Sequence, residues 1–161
     1  MNARRVRSVL FVCTGNICRS PLAQGLMEQA LLESARGRRL RVDSAGTHAH
    51  VGEMPHPLSV TVAAVDYGID ITSQRGRQLS PTDFHEFDWL IALDRGHRDY
   101  MEARLPADAR GTVRLLLQDV LSGSPDVPDP YGRTRSAYEE CARLIKLGVD
   151  CLIGELLAAS R

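Results

Sequence analysis

The chain has almost no lysine and no net charge. All of its 20 basic residues but Lys146 are arginine, and 20 acidic residues cancel them. A balanced surface offers no bulk field for nucleic acid or an anionic membrane, so partners that depend on one are excluded. Long apolar runs are missing as well. No stretch approaches the roughly 20 apolar residues of a membrane span, and the sequence predicts a cytoplasmic protein with no membrane contact. Arg4, Arg5 and Arg7 lead into the apolar run Val6–Val12, which is too short for a signal-peptide core; Met1–Ser8 is expected to be a solvated tip. Cysteine is scarce. Cys141 and Cys151 fall on one predicted helix, about 15 Å apart along its axis and too far to bridge. Cys13 and Cys18 share a loop, and no Cys/His pair follows at zinc-site spacing, so neither a disulfide framework nor a metal site is expected. That cysteine usage fits a reducing compartment and a chemically used thiol.

What is present is an alternation of strand and helix patterns without internal repeats. Strands are expected over Arg5–Val12, Leu40–Ser44, Trp89–Leu93 and Thr112–Leu117. Helices are expected over Pro21–Ser34, with Leu22, Leu26, Met27, Ala30 and Leu31 on one stripe, over Leu58–Tyr67, from Ser80–Asp83, over Gly96–Arg104, and from a capping box at Ser136–Glu139 to about Ala158. Turns or loops fall at Arg36–Arg39, Gly46–Pro57 and Gln118–Arg133. The 161 residues, 43% hydrophobic and 25% charged, suit one α/β domain over residues 1–161. Its expected architecture is a four-stranded parallel sheet with helices on both faces, a flavodoxin-like three-layer sandwich. Ligands in such sheets bind beyond the C-terminal strand ends.

The segment Cys13-Thr14-Gly15-Asn16-Ile17-Cys18-Arg19-Ser20 stands at such an end, between a strand and the helix opened by Ser20-Pro21. A loop there points backbone N–H groups at the positive end of the helix dipole and makes an anion cradle. Five residues between Cys13 and Arg19 allow one tight ring around a tetrahedral dianion. Gly15 permits close backbone approach and Asn16 tolerates a left-handed backbone. Arg19 can hold two phosphate oxygens and the charge of a phosphoryl-transfer transition state. The same field favours the thiolate of Cys13, to which Ser20 is placed to donate a hydrogen bond. No Gly-Lys-Ser/Thr ending is present, so this is not a nucleotide P-loop. Covalent phosphoryl transfer also needs a proton donor for the leaving oxygen. Asp129, stiffened by Pro128 and Pro130, is the candidate, with Tyr131 placed to flank a planar ring. His48, His50 and His56 lie near the expected mouth, and His50 is a candidate substrate contact; His85 and His97 are expected at the surface, and Asp94 as a helix cap.

The blocks Val12–Pro21, Asp43-Ser44-Ala45-Gly46-Thr47 and Asp129-Pro130-Tyr131, in this order along a small chain, resemble the low-molecular-weight protein tyrosine phosphatase family. The resemblance implies that Cys13 is the nucleophile that forms a phosphocysteine, that Arg19 binds phosphate, and that Asp129 is general acid and then base. It implies that Asn16 holds the loop with help from Ser44, that Ser20 assists the thiolate, that Tyr131 walls the ring pocket, and that Cys18 forms a reversible disulfide with Cys13 under oxidation. It implies no cofactor. The substrate it implies is a tyrosine-phosphorylated protein, a bacterial tyrosine kinase among them, acted on by a monomer or weak dimer. Four positions depart from the common family pattern: Ala49 and Gly132 where aromatics are frequent, His56-Pro57-Leu58 in place of Asp-Pro-Arg, and Gln74 in place of His.

Three other activities compete. Arsenate reductase needs a resolving thiol pair near mid-chain, and residues 60–110 hold no cysteine. Protein-arginine phosphatases resemble this chain but carry Thr where Ile17 stands; a bulky apolar residue suits a flat aromatic ring better than a guanidinium. A phospho-binding module without turnover would need neither Cys13 nor Asp129.

Overall fold

A computed structural model describes residues 4–34 and 39–159. Its centre is strand β1, Ser8–Cys13, buried along its whole length. Strand β2, Arg41–Gly46, lies on one side of β1 and strand β3, Trp89–Ala92, on the other; strand β4, Thr112–Leu115, pairs with β3. All pairings are parallel, in the order β2-β1-β3-β4. Chain crossovers leave β1 in opposite directions, so its C-terminal end opens at the switch point of the sheet. Cys13 is the last residue of that strand.

Side chains alternate along β1 and feed two cores. Val9, Phe11 and Cys13 pack with helices α1 (Arg19–Glu33), α2 (Pro57–Tyr67) and α5 (Arg135–Ala158). Leu10 and Val12 pack with Phe84 of the short helix α3 (Asp83–Glu86), with Phe87, and with Met101 of α4 (Arg95–Glu102). This is the expected three-layer sandwich. On α1, Leu22, Leu26, Met27 and Leu31 are buried, while Ala30 is only half-buried. Each fully buried large side chain contributes about 1.5–3 kcal/mol. Gly68 ends α2 in the left-handed conformation, φ 67°, as a C-terminal cap of this kind requires.

Two local expectations fail. The capping box at Ser136–Glu139 does not form: α5 starts at Arg135 after Thr134, and Glu139 is drawn instead to Arg135 at 3.0 Å, one turn back. The helix expected from Ser80 starts only at Asp83, whose carboxylate accepts the Ser80 N–H at 2.8 Å and closes a turn ahead of it. Arg36–Arg38 of the expected turn and Met1–Ala3 of the expected tip fall outside the described residues; Arg4, Arg5 and Arg7 are exposed as expected of a tip, whereas Ser8 is buried as the first residue of β1. No helix among the described residues is long and apolar enough to cross a membrane.

Candidate active site

The loop from Cys13 to Arg19 has its carbonyls turned outward. Those of Cys13, Thr14, Gly15 and Ile17 accept the backbone N–H groups of Thr47, His48, His50 and His56 at 2.9, 2.9, 2.9 and 2.7 Å, and that of Cys18 accepts the Ser59 hydroxyl at 3.3 Å. The Gly/His/Pro-rich segment after β2 is therefore a collar that wraps the loop. With the carbonyls taken from outside, the loop amides face inward above the N-terminus of α1, an arrangement that attracts a multiply charged anion. Gly46 is where collar and loop meet: a Cβ there would lie 2.5 Å from the Thr14 carbonyl oxygen.

Asn16 fixes the ring's shape. It is one of two non-glycine residues with positive φ among the described residues, at 58°. Gly15 has no positive φ; it provides the close approach, since a Cβ there would meet the His50 ring at 2.8 Å. The Asn16 amide donates to Ser20 Oγ at 2.8 Å and to Ser44 Oγ at 2.9 Å, and its oxygen accepts the Arg77 N–H at 2.9 Å. Every polar atom of the buried side chain is thus used. Because Ser20 Oγ accepts from Asn16, its own hydrogen is free for Cys13 Sγ, 2.9 Å away. Arg77 is in turn held by Asp83 and Asp43 at 3.1 Å each, so a clamp distant in sequence supports the loop.

Arg19 is buried and held on several sides. Nη1 donates to Asp94 Oδ2 at 2.8 Å and to the Val127 carbonyl at 2.9 Å; Nη2 lies 3.4 Å from Thr14 Oγ1 and 3.7 Å from the Asp129 carboxylate. Burial works against its charge, but Cys13, Asp129 and Asp94 outweigh it and raise Arg19 above the ordinary arginine value. Asp94 also caps α4, as expected, so one side chain serves both the helix start and the guanidinium. His97 is not at the surface as expected. It is buried at 4% exposure, shares a reciprocal capping box with Asp94, and reaches Thr14 Oγ1 at 2.8 Å. Burial, with Arg19 next to it, pushes its imidazole down to about 4.

These groups line a cleft of about 140 Å³. Cys13, Thr14, Gly15, Ile17, Cys18 and Arg19 come from the loop, His48 and His50 from the collar, and Asp129 and Tyr131 from the Pro-rich segment. One Asp129 oxygen accepts the Tyr131 N–H at 3.1 Å and the other faces Arg19. Tyr131 stands opposite His50, ring centroids 6.5 Å apart, and edge-on to His56 at 5.9 Å. His56 stacks on Tyr138 at 5.1 Å, and the Tyr138 hydroxyl lies 3.5 Å from Cys18 Sγ. Burial pushes the Cys18 thiol up to about 11. Cys141 is buried too, whereas Cys151 is exposed. No cluster of three or more metal-ligating side chains occurs among the described residues.

The structure therefore brings Cys13, Arg19, Asp129 and the remaining sequence-predicted site residues to one cleft or its immediate support, Ser44 through Asn16. Sequence reasoning missed His97 and the Arg77 clamp. The signal for His97 was its place three residues after a capping Asp94.

A family profile described as low molecular weight phosphotyrosine protein phosphatase matches residues 8–160. A low molecular weight protein-tyrosine-phosphatase of Streptomyces coelicolor is 36% identical over 144 residues, 86% of this chain and 86% of that protein. The Bacillus subtilis phosphatase YfkJ is 33% identical over 151 residues, covering 92% of this chain and 95% of its own. Its crystal structure matches with a TM-score of 0.85 at 31% identity, over 99% of each chain. The tyrosine phosphatase Wzb of Escherichia coli, crystallised with sulphate, matches with a TM-score of 0.82 at 26% identity over 94% of this chain and 99% of its own.

Proposed function

Because the chain belongs to the low molecular weight phosphotyrosine protein phosphatase family, we propose that it hydrolyses phosphotyrosine on proteins in two steps through a phosphocysteine. Cys13 Sγ attacks phosphorus in line; the P–O bond to the tyrosine breaks, and Asp129 gives its proton to the departing phenolate oxygen. The loop amides and Arg19 hold the three equatorial oxygens throughout. Water then attacks the phosphocysteine, Asp129 takes a proton from it, and the S–P bond breaks to return the Cys13 thiolate and inorganic phosphate. Asn16 and Ser44 keep the ring closed, Ser20 hydrogen-bonds the sulfur, and Ile17, His50 and Tyr131 bound the slot for the phenyl ring. Under peroxide, which oxidises Cys13 to a sulfenic acid, the Cys18 thiol attacks that sulfur, forming a Cys13–Cys18 disulfide, releasing water and protecting the nucleophile.

The observation that carries this reading is the loop in which the carbonyls of Cys13, Thr14, Gly15, Ile17 and Cys18 are tied outward around a sulfur 2.9 Å from the Ser20 hydroxyl. A sulphate ion in the related Wzb supports a site for tetrahedral oxyanions. Residues 1–161 act as one catalytic domain in the cytoplasm, with a tyrosine-phosphorylated protein as partner, a bacterial tyrosine kinase being the specific candidate, and work as a monomer or weak dimer. The test is phosphate release from a phosphotyrosine peptide and from phosphoarginine, in parallel with the Cys13→Ser variant. Turnover of the first alone, inhibited by vanadate and absent in the variant, supports the reading. Turnover that survives Cys13→Ser sinks it, and preference for phosphoarginine moves the assignment to an arginine phosphatase.

A further inference from the structure

We propose that the Thr14 hydroxyl is a catalytic donor to a phosphoryl oxygen, aimed there by His97 as its positioning residue; this rests on the phosphatase reading and adds two residues to it. His97 is fixed first. Its N–H donates to Asp94 Oδ1 at 2.9 Å, and its ring Nδ1 accepts the Asp94 N–H at 3.2 Å. A neutral imidazole whose Nδ1 accepts carries its hydrogen on Nε2. Asp94 Oδ1 also lies 3.1 Å from Nδ1, but the Asp94 N–H points at that same nitrogen, and a hydrogen on Nδ1 would set two N–H groups against each other inside a buried pocket. Nε2 stands 2.8 Å from Thr14 Oγ1, so it donates to the hydroxyl. Arg19 Nη2, 3.4 Å from both Nε2 and Thr14 Oγ1, has the threonine oxygen as the acceptor that remains. The closeness of this guanidinium also keeps the imidazole neutral, together with burial.

A hydroxyl has one hydrogen and two lone pairs. Here both partners of Thr14 Oγ1 are N–H donors, so the lone pairs are occupied and the hydrogen is left over. Thr14 is exposed to the cleft, beside Cys13, Arg19 and Asp129. The hydrogen therefore turns to the open side, where the phosphoryl group of the proposed substrate lies next to Arg19 Nη2. The Thr14 backbone cannot shift to relieve this arrangement, because its carbonyl is held by the His48 N–H at 2.9 Å. The donor is oriented before substrate arrives, which is the condition under which a single hydrogen bond contributes most to a charged transition state.

The test compares kcat and KM for a phosphotyrosine peptide, and the inhibition constant of inorganic phosphate, in the wild type, Thr14→Val, Thr14→Ser, His97→Phe and the Thr14→Val/His97→Phe double variant. Thr14→Val, an isosteric change at an exposed position, is expected to lower kcat/KM by about 10- to 100-fold and to weaken phosphate inhibition. Thr14→Ser restores most of both. His97→Phe is expected to reproduce the loss in the wild-type background and to add nothing in the Thr14→Val background. Where His97→Phe does not fold, His97→Asn takes its place, since it is too short to reach Thr14 yet can keep the cap. A Thr14→Val enzyme within about twofold of wild type overturns the hydroxyl contact, and full multiplication of the two losses overturns the positioning by His97. Failure of the phosphatase reading looks different: the wild type itself would not turn over, or Cys13→Ser would.

Discussion

Arg19 and Asp94 are joined by a 2.8 Å hydrogen bond from Nη1 to Oδ2 that ties the start of α1 to the start of α4. The carboxylate does two things with its two oxygens, since Oδ1 accepts the His97 N–H and caps α4 while Oδ2 fixes the guanidinium. The two can be separated. Asp94→Asn keeps a good N-cap but removes the charge, so stability should stay near wild type while kcat/KM falls about 10-fold or more. Asp94→Ala should lose both the activity and about 1 kcal/mol of stability. Urea unfolding beside steady-state kinetics checks the split; an Asp94→Asn enzyme with unchanged kcat/KM would show that Arg19 needs no ionic partner.

Asn16→Ala places alanine at φ 58° and removes three hydrogen bonds at once. Asn16 already carries a Cβ at this φ, so the difference lies mainly in the three lost bonds, each worth about 0.5–1.5 kcal/mol. The expected loss is therefore about 3 kcal/mol in unfolding free energy, with vanadate affinity falling in parallel. Calorimetry with and without vanadate measures both. A variant that is destabilised yet binds vanadate normally would mean that Asn16 supports the fold and not the cradle.

Asp129→Ala removes the proton donor and leaves the cradle intact. Turnover of substrates with poor leaving groups should drop by about 10²–10⁴. Aryl phosphates whose phenolate departs without help should lose much less. Rates across phenols of graded acidity make the comparison, and an equal loss for all of them contradicts the acid assignment.

His97 makes stability depend on pH in a definite sense. Its imidazole sits at about 4 in the folded protein against an ordinary value of 6.5, so between these limits the unfolded chain binds the extra proton. Stability is then complete above about 6.5 and falls as the pH drops towards 4, by about 3 kcal/mol in all. Replacing His97 by Asn should flatten that part of the stability–pH curve. An unchanged slope between pH 4 and 6.5 in the variant would assign the acid sensitivity to other groups.

The sheet and the phosphate loop were legible because their signals are local. A six-residue apolar strand running into Cys13, and Ser20-Pro21 opening a helix, state where the cradle lies without reference to the rest of the chain. Asp129 was legible through the prolines on either side. The supports were not. Asn16 takes its third bond from Arg77, 61 residues away, and nothing near Arg77 hints at it. His97 was hidden for a different reason: a capping box closed by histidine instead of Glu or Gln gives no recognised start signal, and the ring's partner, Thr14, is 83 residues distant. At Ser136 the opposite error arose, because a good capping-box spacing lost its glutamate to Arg135.

The nucleophile and the proton donor stand on parts of the molecule with unequal resistance to opening. Cys13 ends a strand paired on both sides, whereas the Asp129 segment is held by the Val127 N–H to Leu93, the Val127 carbonyl to Arg19 and the Asp126 carboxylate to Arg95. Amide exchange at Val9–Val12 will wait for global unfolding, and exchange around Asp129 will proceed through cheap local fluctuations. The enzyme can thus loosen its gate to let phenol and phosphate depart while the anion-gripping ring keeps its shape for the next turnover.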